Sequence, residues 1–134
     1  IKTMPNLQIW VDGNPLVLGQ TKQIELLAYF IDHGEKGVTK IDAIETLWVG
    51  YSTESVYWTT MSRLKSLLDD AGISNLIISR GQAKCINMGI VDCDLYRMLN
   101  GDETVIDQYN GEYLEEYVWA KERKTELDRI KQNR

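Results

Sequence analysis

The spacing of apolar residues changes several times along this 134-residue chain, and each change predicts a new element. Alternating apolar residues around Asp12-Gly13-Asn14 predict an N-terminal β-hairpin. Apolar residues then recur at helical spacing in three stretches, before two short β-prone runs. The predicted order is therefore hairpin, three helices and a second hairpin. The strands are predicted at 7–11 and 15–18, the helices at 21–33, 40–48 and 52–71, and the last strands at 76–79 and 84–87. A short extended link is predicted at Val38-Thr39. The residues predicted to face inward are Ile24, Leu27, Ala28 and Ile31 on the first helix, and Ile41, Ile44, Leu47 and Trp48 on the second.

The longest predicted helix, 52–71, has two different faces. One face is apolar and requires a core to pack against. The other carries small hydroxyls, one indole and a single arginine, with Lys65 at its edge and Glu54 as the only acid before the last turn. Small hydroxyls allow close approach and arginine pairs with phosphate or guanine, so we interpret this face as entering a DNA major groove. The alternative is an ordinary solvated helix surface. The face consists of Ser55, Trp58, Thr59, Ser62, Arg63 and Ser66.

Acidic charge is concentrated at the C-terminal end of the chain. The net charge is −5, from 15 Lys+Arg and 20 Asp+Glu. Residues 1–90 hold 8 basic and 9 acidic residues, and residues 91–134 hold 7 and 11. The first part is nearly neutral, which allows DNA binding but predicts a modest electrostatic affinity.

Residues 91–134 have a different, helical pattern. Helices are predicted at 92–99 and 104–109, and a long charged helix from Glu112 to Lys131. Amphipathic helices without a partner sheet predict a helical hairpin, which is the unit of tetratricopeptide-type repeats. A single repeat cannot bury both of its faces, so we expect this extension to pack on the preceding domain of residues 1–90, to pair with another chain, or to have been truncated.

Three helices followed by a β-hairpin form the winged-helix arrangement, and about residues 5–90 resemble the OmpR/PhoB-type DNA-binding domain of bacterial response regulators. The matching runs are T-K-Q-I-E-L-L-A-Y (21–29), Leu47-Trp48 and M-S-R-L-K-S-L-L (61–68). The resemblance implies that the third helix contacts the major groove and that the second hairpin, the wing, contacts the minor groove or backbone. It places Arg80 and Lys84 on the wing. It also implies a loop that contacts RNA polymerase, formed by Val49, Gly50 and Tyr51.

The C-terminal segment resembles the start of the bacterial transcriptional activator domain that follows a winged helix in SARP-like regulators. The runs that carry this resemblance are C-D-L-Y-R-M-L (93–99) and Y-N-G-E-Y-L (109–114), followed by Trp119, Ala120 and Arg123. The two resemblances together imply an α+β fold: a winged helix-turn-helix with an N-terminal hairpin over 1–90, and a helical, TPR-like extension over 91–134. They imply the effector region of a response regulator in two-component, phosphorelay signalling.

The predicted function is thus sequence-specific binding of double-stranded DNA in the cytoplasm, as a homodimer on repeated half-sites. Because the chain begins at Ile1, we expect it to be part of a longer protein, in which a receiver domain could come first. The alternative is a protein-interaction module that keeps the winged-helix shape without binding DNA. No motif predicts catalysis, a cofactor or a metal site. No apolar run approaches the roughly 18 residues of a membrane span, and Cys85 and Cys93 are expected to be buried, reduced thiols.

Overall fold

A computed structural model of the chain describes residues 1–49 and 54–134. The chain forms two compact units, one of residues 1–15 together with 92–134, and one of residues 16–91. The sequence pattern assigned residues 1–15 to the winged helix, whereas here they group with the C-terminal segment. The described elements, in chain order, are β1 (Trp10–Val11), β2 (Asn14–Pro15), α1 (Lys22–His33), β3 (Val38–Thr39), α2 (Lys40–Leu47), α3 (Glu54–Asp70), β4 (Ile77–Arg80), β5 (Ala83–Ile86), α4 (Asp94–Leu99), α5 (Glu103–Gln108) and α6 (Lys121–Gln132).

In the unit of residues 16–91, the described ranges 16–49 and 54–91 form three α-helices and a three-stranded sheet, in the predicted order. Helix α1 buries the four apolar positions whose spacing predicted it. Helix α3 buries the aromatic ring of Tyr57 together with Leu64 and Leu68, so its predicted core face is also confirmed. The four buried positions of α1 are Ile24, Leu27, Ala28 and Ile31.

Helix α2 differs from the prediction at one position. Ile41 was expected to face inward but is 62% exposed, whereas Ala43 and Leu47 are buried. Each residue advances about 100° around a helix, so Ile41 lies about two-fifths of a turn from the stripe centred on Ala43 and Leu47. Ile44 is buried as predicted, whereas Ile41, about 60° further round the helix, lies beyond the buried face.

The sheet of this unit has the strand order β3-β5-β4, and both pairings are antiparallel. Strands β4 and β5 form the predicted second hairpin around a two-residue turn, Gly81-Gln82. The short extended link predicted at Val38-Thr39 is the third strand, and Thr39 lies opposite Ala83 in its register. The start of α2 is therefore tied directly to the wing.

In the other unit, the N-terminal hairpin is shorter than predicted. Strands β1 and β2 have two residues each and flank the turn Asp12-Gly13, whose positive φ values of 51° and 82° suit a tight hairpin. Residues 16–18 form no strand. Lys2 and Gln8 instead exchange two backbone hydrogen bonds of 2.7 and 2.8 Å, so the first eight residues form a bridge of their own.

The predicted long helix from Glu112 is wrong over nearly half of its predicted length, residues 112–120. Helix α6 begins at Lys121, after a single 3₁₀ turn at Val118–Ala120. The amide of Leu114 donates to Thr3 O (2.8 Å) and that of Glu115 to Pro5 O (3.1 Å). Because these amides bond to the N-terminal segment, and because Leu114 has a φ of +40°, residues 112–117 cannot continue as a helix.

A carboxylate holds the same N-terminal segment to the start of α4. Asp94 accepts hydrogen bonds from the amide and hydroxyl of Thr3 and from the amide of Met4. It also accepts one from the amide of Leu95 in the first turn of its own helix, at 2.7 Å. One side chain thus satisfies donors from two segments that lie far apart in sequence.

Candidate nucleic-acid interface

The exposed face of α3 is set by the opposite, buried face of the same helix. Tyr57 is 1% exposed and Leu64 and Leu68 lie in the core, so the rotation of the helix about its axis is fixed. The six residues predicted to face DNA then all lie on the outside. They form a strip about three turns long, and they are Ser55, Trp58, Thr59, Ser62, Arg63 and Ser66.

The cation on this strip and the one at its edge are free to interact with an anionic partner. Arg63 and Lys65 are both exposed, and neither forms an ion pair or a hydrogen bond with the described part of the chain. Asp69 and Asp70 are exposed at the C-terminal end of the helix, beyond these two cations. An anionic partner would therefore be favoured along the middle of α3 and disfavoured at its end.

A shallow depression of about 540 Å³ borders the second half of α3. Three residues of the exposed strip contribute to it, beside the first turn of α1. Arg63 and Asp70 both line this depression, so its electrostatic character changes sign along the helix. Its lining residues are Leu16, Gln23, Ser62, Arg63, Ser66, Leu67, Asp70 and Ala71.

Trp58 is anchored at its edge rather than free in solvent. Its ring lies edge-on to that of Tyr57, with centroids 5.1 Å apart and an interplanar angle of 78°, yet half of its surface is exposed. The Nζ of Lys40, the first residue of α2, lies 5.9 Å from the centroid of the Trp58 ring and 2.9 Å from Oε1 of Glu54. The start of α2 and the first turns of α3 thus share a cluster of one cation, one carboxylate and one indole.

Lys40 was not singled out by its sequence. It follows the extended link 38–39, whose strand partner cannot be inferred from local spacing. The pairing of Thr39 with Ala83 and the ion pair of Lys40 with Glu54 together place Lys40 between the wing and α3. A lysine directly after a helix-capping threonine was the sole local signal, and it marks a helix start rather than a contact surface.

The two cations of the wing have local partners that leave their charge unneutralised. Arg80 is exposed and donates from Nη1 to the backbone oxygen of Glu35 at 3.2 Å. Lys84 is half-buried and its Nζ donates to the hydroxyl of Ser79 across the hairpin at 3.3 Å. Neither partner atom carries a full negative charge, so both side chains can still interact with an anion.

The proposed polymerase loop is only partly described. Val49 follows α2 and is 78% exposed. Gly50 and Tyr51 lie outside the described residues.

The histidine and the two cysteines have contacts or burial that fit a structural role. His33 ends α1, with its Nδ1 3.0 Å from Tyr29 O. Cys85 and Cys93 are buried, free thiols, as predicted. Burial, with the nearby Asp94 carboxylate, raises the pKa of Cys93 to about 12, which keeps it protonated and unreactive at neutral pH.

Neither a metal site nor a membrane-spanning helix is found in residues 1–49 and 54–134. No group of three or more His, Cys, Asp and Glu side chains there is arranged to hold a metal ion. No helix in these ranges has the length and apolar character needed to cross a membrane.

Comparison with known proteins gives a match in structure and none in sequence. No family model matches the chain, and no curated protein matches it significantly. Among solved structures, it is similar in fold to EmbR of Mycobacterium tuberculosis, which was determined in complex with a low-affinity phosphopeptide. The TM-score is 0.76 over 97% of this chain, at 20% sequence identity. The chain spans 41% of the EmbR chain. At this identity the likeness establishes a shared fold.

Proposed function

We propose that this chain is a sequence-specific DNA-binding transcriptional regulator, the effector region of a SARP-like response regulator. Helix α3 enters the major groove, and the wing contacts the minor groove or the backbone. The observation that carries the proposal is the exposed strip of α3, on a helix whose other face is fixed in a core. The strip carries small hydroxyls and Arg63, which has no ion-pair partner among residues 1–49 and 54–134.

The side chains of the strip are of the types that contact base edges directly. A guanidinium can donate two parallel hydrogen bonds to the O6 and N7 atoms of guanine, and serine and threonine hydroxyls bond to any base edge or phosphate. Short side chains around Arg63 let the helix approach the groove floor closely. The exposed half of the Trp58 ring adds an apolar surface suited to a thymine methyl or a sugar.

Basic residues on the wing supply the second contact. Arg80 adjoins the two-residue turn of the hairpin, where it can reach backbone phosphates or the minor groove. The exposed Val49 supports the proposal that the segment after α2, with Gly50 and Tyr51, contacts RNA polymerase.

A small number of phosphate contacts predicts that affinity depends on two copies. Each neutralised phosphate steepens the salt dependence by about 0.9 in log–log slope, so a chain with few such contacts has a shallow slope and weak single-site binding. We propose that homodimers bind tandem or palindromic half-sites. Equal affinity for one half-site and for two would contradict this.

A protein-interaction module is the second candidate, and the acidic charge favours it. Residues 91–134 carry a net charge of −4, and Asp70 places a carboxylate in the depression beside α3. Such a module would keep the winged-helix shape and bind a protein partner through α3 or the C-terminal helices. The C-terminal helices themselves we propose as a TPR-like extension of the regulator.

The experiment is a selection of genomic fragments bound by the chain, followed by sequencing. It compares the unmodified chain with Arg63→Ala and with Arg129→Ala, which removes an exposed arginine of α6 as a matched control. We expect a shared motif with the unmodified chain and Arg129→Ala, and its loss with Arg63→Ala. If no motif is enriched even at low salt, the interaction module becomes the better function.

A further inference from the structure

Lys40 lies between the two elements proposed to touch DNA. It directly follows Thr39, which pairs with Ala83 of the wing, and its side chain reaches the first turn of α3. A surface that contacts both α3 and the wing must therefore pass close to position 40. The DNA contacts proposed above include none at the start of α2.

The ammonium group of Lys40 has two neighbours on α3. Glu54 Oε1 lies 2.9 Å from its Nζ, and the Trp58 ring centroid lies 5.9 Å from the same atom. The Glu54 side chain is 66% exposed, and that of Lys40 is 32% exposed. An exposed pair of this kind contributes little to stability, because water solvates both charges well.

An exposed carboxylate at this place acts against anion binding in two ways. It occupies the cation that could neutralise a phosphate, and it repels an approaching phosphate itself. A phosphate oxygen can replace the carboxylate on Lys40 only if Glu54 turns away, which its exposure permits. The Trp58 ring would keep the ammonium close to the start of α3 throughout.

We propose that Lys40 is a phosphate contact of the DNA complex and that Glu54 is its internal competitor, which lowers affinity for DNA of any sequence. This inference rests on the proposed DNA-binding function. Because phosphate contacts are independent of sequence, it predicts that the pair sets overall affinity, while Arg63 and its neighbours on α3 set base preference.

The test measures affinity for a random-sequence duplex as a function of salt. Replacement Lys40→Ala should weaken binding and reduce the log–log salt slope by about 0.9, the contribution of one phosphate. When the salt concentration rises from about 50 to about 200 mM, the affinity of both chains falls. The fold-decrease should be about three times larger for the unmodified chain than for the variant. Lys40→Arg keeps the cation and should restore the slope.

Replacement Glu54→Gln should tighten binding, and this gain should shrink in the Lys40→Ala background because part of it acts through the freed ammonium. The matched control is the ion pair of Lys124 and Glu115, in the unit of residues 1–15 and 92–134. Its Nζ and Oε1 atoms are 3.8 Å apart, and the lysine side chain is 35% exposed. Lys124→Ala and Glu115→Gln should leave both affinity and slope unchanged. Thermal unfolding of all variants checks that the fold is retained.

The outcomes separate the inference from the function on which it rests. If the unmodified chain binds DNA but Lys40→Ala keeps its affinity and slope, the inference is wrong and the proposed function stands. If Glu54→Gln gains the same factor with and without Lys40, Glu54 acts only by repulsion and the competition is wrong. If the unmodified chain binds neither random nor selected DNA at low salt, the proposed function and the inference both fail.

Discussion

Tyr57 and Trp58 are consecutive residues of α3 whose rings meet edge to face, 5.1 Å between centroids, across the boundary between core and surface. Tyr57 is 1% exposed and Trp58 is 50% exposed. The buried ring also meets Trp48 at the end of α2, with centroids 6.4 Å apart. The same aromatic contact thus fixes the rotation of α3 and positions a large side chain for a partner.

Two neighbouring substitutions should therefore have different effects. Tyr57→Ala removes a fully buried ring and should lower the free energy of unfolding by about 3 kcal/mol or more. Trp58→Ala leaves the core intact and should cost less, about 1 kcal/mol, while weakening DNA binding. Urea unfolding of both variants is the measurement. Equal destabilisation would show that Trp58 is a core residue rather than part of the interface.

Backbone strain at Gly37 gives a second prediction. Its φ is +86°, and a Cβ there would lie 3.2 Å from the Ala83 Cβ and 3.3 Å from the Lys84 carbonyl oxygen. With ψ at 167° this backbone conformation is open essentially to glycine alone, so Gly37→Ala meets a backbone penalty of about 1–3 kcal/mol as well as a tight contact with the wing strand. Gly72 is the comparison position, because its φ is also positive, at +78°, and a Cβ added there would have no other atom within 4 Å.

Gly72→Ala should show the backbone penalty alone, so its loss of unfolding free energy should be smaller than that of Gly37→Ala. The difference between the two losses measures the close approach of residue 37 to β5 together with the extended ψ at Gly37. Equal losses in chemical denaturation would contradict this prediction.

Asp94 is predicted to control the attachment of the N-terminal segment. Asp94→Ala leaves the amides of Thr3 and Met4 without their acceptor, and should cost about 2–4 kcal/mol because hydrogen bonds to a charged acceptor are lost. Hydrogen exchange at residues 2–8 should accelerate. The control is Asp92→Ala, which removes an exposed carboxylate paired with Arg97 and should leave that exchange unchanged.

The free energy of unfolding should decrease at alkaline pH, partly because of Cys93. Its thiol ionises near the ordinary pKa of 9.0 in the unfolded chain and near 12 in the folded chain. Between these values the unfolded chain has lost a proton that the folded chain keeps, so rising pH favours unfolding. This contribution is complete below pH 9 and is lost progressively above it.

The measurement is urea unfolding at pH 8, 9 and 10, with Cys93→Ala as the comparison. The variant should show a weaker fall in unfolding free energy over this range. Tyr109, whose pKa is raised by burial and by its hydrogen bond to Asp128, titrates at higher pH and should leave this difference unaffected. An identical pH dependence in the two chains would contradict the prediction.

Local periodicity was sufficient wherever an element packs through its own regular face. It predicted the buried positions of α1, the two faces of α3 and the hairpin of the wing, because each depends on spacing within about 20 residues. It also gave the exposed position of every α3 residue in the candidate interface. Whether these residues bind DNA stays a prediction.

Local spacing failed where a distant backbone supplies the partner. Residues 112–117 have helical composition, but the amides of Leu114 and Glu115 donate hydrogen bonds to the carbonyls of Thr3 and Pro5. Lys40 was missed for the same reason, since the strand before it pairs with a strand of the wing, far along the chain. No local pattern contains either pairing.

The compact unit built from residues 1–15 and 92–134 has consequences for synthesis on the ribosome. Residues 3–5 leave the ribosome long before Asp94, which binds Thr3 across a separation of 91 residues, and before Leu114 and Glu115, which bind Thr3 and Pro5. The intervening unit of residues 16–91 has all of its strand partners available much sooner. During synthesis the backbone groups of Thr3 and Pro5 should thus stay unpaired until Glu115 has emerged from the ribosome, and a recombinant piece ending at residue 90 would leave them without these partners.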